Sequence, residues 1–311
     1  MKILVAGSAN IDVVGLSDKR LIVYGNNKGK VMIKDGGTAR NIAANSIELG
    51  LPVSLLTAVG EDEMGRNLLA NMIEMGASTI PSTRIAGAQT PINIKLIDND
   101  RALYNNVYSE PLSKLLRVNY VKKVTADRYD ILLADTSLGE DVLRYFTSFV
   151  QIKERILIPA FGEEVDELTE MMCKFNTLIV DADSAELSTK MFVRGVQDAK
   201  DCARHLLTLG FRNVFILMDE RGVVAADSIN VLHVPSFKAQ HYGSQAAWDG
   251  FAAGIVYTSA NNLPIFQKAL FAMAAYAQAA RCEFSNEKFS LDTVGNILLN
   301  GEKNEELTEE E

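Results

Sequence analysis

Residues 241–254 read HYGSQAAWDGFAAG. Extended sequence, VLHVP at 231–235, comes before them, and a helix of small apolar residues is predicted over about 247–257. That puts Asp249 in the first turn of a helix that opens from a loop. Unpaired backbone N–H groups and the positive end of the helix dipole gather at such a place. It suits a phosphate or a carboxylate that must stay ionised. Acids are also favoured at helix starts for the dipole alone, and this stretch in isolation favours that plainer reading.

The surrounding pattern is an alternation of strands and helices. Strand-like runs at 131–134, 155–158, 177–180 and 214–218 are separated by helical patterns at 142–149, 165–175 and 199–209. Such alternation implies a parallel sheet covered on both faces. The chain opens with a strand at 2–6 and a turn at 7–10, which leaves Asp12 just beyond the strand's carboxyl end. Ligands bind along that edge in open α/β sheets, and an acid there can accept two hydrogen bonds from a vicinal diol. The alternative is a turn aspartate capping its own backbone. Gly36 and Gly37 precede a helix predicted over 38–49, with Asn41, Ala44, Asn45 and Glu48 along one side. Paired glycine lets a ligand approach the backbone. A strand at 53–59 and a helix at 66–75 follow. Two regions break the alternation: short strands at 21–24 and 30–34, and a hairpin of 91–98 with 101–108. They suggest a small sheet projecting from the core. A second small-residue helix is predicted over 265–282, and the acidic end, 302–311, reads as a frayed tail.

Composition narrows the function. The 311 residues are 48% hydrophobic, enough for a packed core, and carry a formal charge of −9. That charge argues against nucleic acid or an anionic membrane as the main partner. Cys173, Cys202 and Cys282 are odd in number and far apart, and the three histidines show no metal-ligand spacing. No metal site is expected. The opening apolar run is too short for a signal-peptide core, so a soluble cytoplasmic protein is expected.

Four stretches together resemble the ribokinase (PfkB) family of carbohydrate and nucleoside kinases: GSANID at 7–12, GGTARNIAANSIELG at 36–50, VGEDEMG at 59–65 and DGFAAG at 249–254. Their order and spacing are similar to the family over nearly the whole chain. Within it, GSANIDVVG, KGKVMIKDGGTARNIA and ARCEFSN look like the branch of bacterial pseudouridine kinases. The resemblance implies a single three-layer α/β/α core spanning 1–311, with a mainly parallel sheet. It also implies a β-sheet lid from 12–35 and 90–108 that forms a homodimer contact. It implies a nucleoside or sugar substrate, with ATP and Mg2+ as cofactors.

Carried over by position, Asp12 and Asn41 would bind the ribose hydroxyls, Gly36 and Gly37 would let the sugar reach the backbone, and Asp135 would add a polar substrate contact. Asp249 would be the catalytic base that takes the proton of the attacking 5′-hydroxyl. The nucleotide half departs from the family. The pattern D-T-x-G-A-G-D is replaced by 243–249, GSQAAWD, so that Ala246, Ala247 and Trp248 stand where a glycine-rich anion hole is expected. Asp219 replaces the glycine of T-L-G, and Glu186 is kept from N-x-x-E while Asp183 replaces the asparagine. Losing one preorganised donor of a transition-state hole costs on the order of 10²–10³ in rate. Two readings follow. One is an ATP-dependent kinase acting on the ribose 5′-hydroxyl; the other is a pseudokinase that keeps the nucleoside site without efficient transfer. In the second, Trp248 narrows the space of the γ-phosphate; otherwise its ring packs into the core.

Overall fold

The computed structural model describes residues 1–100, 103–125, 129–148, 152–160, 170–239, 244–282 and 287–304. Ile3–Ala6 (β1) is an unbroken apolar run, buried throughout, as a strand covered on both faces must be. The chain then leaves the core as Asn10–Ser17 (β2) and returns through Gly29–Gly36 (β3) into Thr38–Glu48 (α1). Val53–Leu56 (β4), Ala58–Gly60 (β5), Glu63–Glu74 (α2) and Thr83–Ile85 (β6) follow. A second excursion, Ile92–Ile97 (β7) and Leu103–Tyr108 (β8), precedes Val118–Val124 (α3). The alternating part runs Ile131–Asp135 (β9), Glu140–Ser148 (α4), Glu154–Ile158 (β10), Thr177–Asp181 (β11), Ala182–Thr189 (α5), Val196–Thr208 (α6) and Asn213–Leu217 (β12). Val223–Ala226 (β13) and Val231–Val234 (β14) lead to Gln245–Ala260 (α7), Ile265–Cys282 (α8) and Leu291–Asn300 (α9).

The large sheet has the order β14-β13-β12-β11-β10-β9-β1-β4. It is parallel from β4 to β12 and ends in an antiparallel pair of strands. Successive side chains of β1 feed two different apolar layers: Ile3 and Val5 belong to the one that includes α1, α7 and α8, Leu4 and Ala6 to the one that includes α4 and α6. This is the three-layer α/β architecture that the alternation implies. The helix bearing Asp249 is held by close approach. A Cβ on Gly250 would lie 2.4 Å from the Cβ of Ala279, and one on Gly254 would lie 2.8 Å from the Cα of Ala272. The glycines of DGFAAG therefore let α7 and α8 pack backbone against backbone, which fixes Asp249 relative to the sheet.

A separate four-stranded sheet has the order β3-β2-β7-β8. Its central pair, β2 with β7, is parallel, and the outer strands are antiparallel to it. The period of two sorts its faces. Asp12, Val14 and Lys95 line the cavity beneath the sheet. Ile33, Ile94 and Val107 occupy the alternate positions and are exposed.

Several sequence expectations are corrected. Residues 21–24 are not a strand but a turn with Tyr24 at φ 61, closed by hydrogen bonds between Asn27 and the backbone of Ile22. The run 53–59 is split into β4 and β5. The helix expected at 165–175 falls partly outside the described residues, and its described end is a turn followed by a short 3-10 segment, Met172–Lys174. The helix of Asp249 starts at Gln245, because the Ser244 side chain caps it. Asp249 is thus its fifth residue, one turn in, and the end of the helix lies at Gln245 and Ala246. The tail is docked at its start: Lys238 N donates to Glu302 O and Asn304 N to Ser236 O. Residues 305–311 of that tail lie outside the described residues. No helix among the described residues is long and apolar enough to cross a membrane.

Candidate functional site

The start of α1, the start of α7, the end of α8 and the inner face of the small sheet converge on one cavity of about 230 Å³. Asp12, Asn41 and Asp249 all line it, together with Arg40, Lys95 and Gln245. A narrower groove adjoins it, lined by Asp12, Gly37, Asn41, Asn93 and Lys95 among others. Three residues far apart in sequence are therefore brought together.

Asp249 is 1% exposed. Its Oδ2 accepts from Asn41 Nδ2 at 2.9 Å and its Oδ1 from Gln245 Nε2 at 2.9 Å. Burial pushes its pKa up to about 8, against the two amide donors and the nearby Lys95, which favour the ionised form. Desolvation wins because neither amide carries charge and Lys95 is engaged elsewhere. That engagement is Asp12: its Oδ2 pairs with Lys95 Nζ at 2.9 Å, and its Oδ1 accepts from Asn10 Nδ2 at 2.7 Å. Lys95 comes from β7, so this pair stitches the centre of the small sheet across the mouth of the cavity. On α1, Arg40 donates to Asn41 Oδ1 at 3.1 Å and to Asp35 Oδ2 at 3.4 Å. The first bond holds the Asn41 amide with its Nδ2 turned to Asp249.

The two glycines have different roles. Gly37 has φ 100 and precedes α1, and a Cβ there would lie 2.5 Å from Ala9 Cα. Only glycine fits. A Cβ on Gly36 would lie 2.6 Å from Asp12 Cγ, so its missing side chain leaves room for the Asp12 carboxylate.

Asp135 is fully buried and lies outside both cavities. Its Oδ2 accepts from Ser8 N and Oγ, each at 2.8 Å, and its Oδ1 from Ser137 N and Oγ. It fixes the turn after β1, and Ser8 Oγ in turn accepts from Thr38 N at 3.1 Å. Its geometry is that of a brace beneath the site.

Of the residues expected on the nucleotide side, only Ala246 lines the cavity. Ala247 is buried and its N–H donates to Ser244 Oγ at 3.2 Å. Trp248 is half-buried and packs against the apolar core. Glu186 Oε2 accepts from Val193 N at 2.9 Å. Asp219 follows β12 with φ 50, and its Oδ1 accepts from Tyr276 Oη at 3.0 Å. Burial raises its pKa, the Tyr276 bond opposes this, and Asp181, Glu220 and Asp183 raise it further. Among the described residues, no group of three or more His, Cys, Asp or Glu could hold a metal ion.

Lys95, Gln245, Arg40 and Asn10 escaped the sequence reading. Gln245 was legible in principle, standing four residues before Asp249 on one helix face. Arg40 adjoins Asn41. Lys95 required knowing which face of the hairpin turns inward, and periodicity alone leaves that open.

Asp249, one turn into α7, and Asp12, in the small sheet, thus face one cavity. Residues 1–289 match the pfkB family carbohydrate kinases, and the chain belongs to that family. It is 24% identical to the pseudouridine kinase of Escherichia coli over 304 residues, covering 96% of this chain and 97% of that one. It is 24% identical over 264 residues to the guanosine-inosine kinase of Exiguobacterium acetylicum, covering 82% and 86%. In fold it is similar to the Arabidopsis thaliana ribokinase complexed with ribose and ATP, with a TM-score of 0.80, 14% identity and coverage of 95% and 98%.

Proposed function

We propose that this chain binds a nucleoside or a related sugar in the cavity, and that Asp249 accepts the proton of its primary hydroxyl in a phosphoryl-transfer reaction. The observation that carries the reading is the convergence of Asp12, Asn41 and Asp249 on one cavity. Asp12, charge-balanced by Lys95, offers acceptor oxygens to a pair of ring hydroxyls. Asn41 bridges the ring site and the base. Asp249, one turn into α7, faces the start of a helix whose dipole stabilises developing negative charge. Kinship with the two nucleoside kinases supports a nucleoside over a simple sugar.

The donor half supports less. ATP with a divalent cation would supply the phosphoryl group, and the start of α7 suits an anion. Asp219, with Asp181, Asp183 and Glu220 around it, suits a polyphosphate poorly. This favours a second reading, a pseudokinase that binds its nucleoside and transfers slowly or not at all. Calorimetry with pseudouridine and other nucleosides, and separately with Mg-ATP, tests both, followed by mass spectrometry for a phosphorylated nucleoside. Turnover abolished by Asp249→Asn supports the kinase. Nucleoside binding without product supports the pseudokinase. Absence of any nucleoside or sugar binding sinks both.

A further inference from the structure

Resting on that reading of the acceptor site, we propose that Asn45, with Arg40 beside it, reads the base of a bound ribonucleoside and selects bases that present a carbonyl next to a ring N–H. Asn45 lies on the same helix as Asn41, one turn further along, and lines the same cavity. Its side-chain amide makes no hydrogen bond among the described residues, unlike the Asn41 amide, whose two ends are held by Arg40 and Asp249. Arg40 spends two donors on Asn41 and Asp35, and its Nε–H, out of solvent, has no partner. A buried donor left unmet is costly, and a ligand that shifts the guanidinium can satisfy it.

The chemistry of these groups chooses the ligand. An asparagine amide offers one donor and one acceptor side by side, which matches a carbonyl with its neighbouring ring N–H or, turned over, an amino group with its neighbouring ring nitrogen. Arginine offers donors only, so it sets the preference for a carbonyl and gives nothing to an exocyclic amino group. Asp35, which also lines the cavity, accepts on its Oδ2 from Arg40 and from Asn71 Nδ2 at 2.8 Å. Val14, Ala44, Ile97 and Phe289 supply apolar surface to the same cavity, as a planar ring requires. With the ribose at Asp12 and Asn41, one helical turn of about 6 Å carries the base towards Asn45.

The test is calorimetry on the full chain with ribose, pseudouridine, uridine, inosine, cytidine and adenosine, followed by two variants. The expected result is that the keto-base nucleosides bind at least roughly tenfold tighter than ribose and than the amino-base nucleosides. Asn45→Ala then collapses the ratio of keto-nucleoside to ribose affinity by about tenfold. Asn45→Asp, an acceptor only, turns the preference towards cytidine and adenosine. Ribose binding as tightly as every nucleoside, or an unchanged preference in both variants, overturns this inference while leaving the acceptor site standing. Failure of ribose and all nucleosides to bind overturns the acceptor site itself and this inference with it.

Discussion

Asn41 Nδ2 donates to Asp249 Oδ2 over 2.9 Å, joining two helix starts that lie 208 residues apart in sequence. The bond places a neutral amide against a carboxyl group that is otherwise shut away from water. Its consequence is that the state of Asp249 depends on what surrounds it. Burial prevails over the amide donors, and the proton stays on to about pH 8. A general base works best with a pKa near the operating pH, so this shift suits the role proposed for it.

The raised pKa of Asp249 has a stability consequence. The folded chain keeps a proton that the unfolded chain releases above the ordinary value of 3.8. The resulting contribution to stability is fully present below that value and is lost as the pH rises to about 8. Beyond that point the cost of a buried charge is complete and constant. Asp249→Asn removes the titration, so the variant should gain on the parent chain across that window and then level off. Melting temperatures of both at about pH 5, 7 and 9 measure it. A difference that does not change with pH would show that Asp249 is already ionised in the folded chain.

Gly36→Ala and Gly37→Ala should separate binding from folding. A methyl at 36 meets the Asp12 carboxylate at 2.6 Å, and a methyl at 37 meets the Ala9 backbone at 2.5 Å with φ 100. The first displaces one side chain and should weaken nucleoside binding by about 1–3 kcal/mol, the scale of a lost hydrogen bond to a charged group, with little change in melting temperature. The second strains the backbone and should destabilise the fold by about 1–3 kcal/mol. Equal effects of the two substitutions on melting temperature would contradict this division.

The outer face of the small sheet should be an interface between two copies of this chain. Val31, Ile33 and Val107 are 72%, 70% and 66% exposed, and Ile94 lies between the latter two across β2 and β7. A contiguous apolar sheet face of this kind marks an association surface. Light scattering at micromolar concentration should give a dimer mass, and Ile33→Lys with Ile94→Lys a monomer. A monomeric parent chain would remove the proposal.

The sequence carried most of the architecture because its signals were local. The unbroken apolar runs of β1, β9 and β12 and the small-residue pattern of α7 and α8 fix a covered parallel sheet without any knowledge of contacts. The roles expected of Gly36, Gly37, Asn41 and Asp249 came from the resemblance of GGTARNIAANSIELG and DGFAAG to the family's motifs, since spacing to strand ends and helix starts alone left plainer readings open. What escaped depends on pairing over long separations. Lys95 pairs with Asp12, 83 residues away; Gln245 is the local exception, missed because the helix starts two residues earlier than its apolar pattern suggests. Asp135 stands at a strand end, as the sequence reads it; the four bonds that its oxygens accept from Ser8 and Ser137 were not legible there.

Asp219 is where the donor half can be tested with least damage to the fold. It stands where the resemblance implies a glycine, with φ 50, a left-handed conformation that glycine adopts freely. Asp219→Gly relieves that backbone and loses the bond from Tyr276. Each effect is about 1 kcal/mol and they oppose one another, so the melting temperature should move little. The substitution also removes one carboxyl from a group that includes Asp181, Asp183 and Glu220. If these acids repel the phosphates of a donor, Mg-ATP affinity should rise by about tenfold, the scale of one charge contact. Trp248→Gly is the poorer test, because it unpacks a ring from the core and puts glycine inside the first turn of α7. Calorimetry with Mg-ATP on Asp219→Gly and the parent chain decides the matter. Equal affinities would mean that Asp219 faces no phosphate, and the case for an impaired donor half would then rest on nothing in this part of the fold.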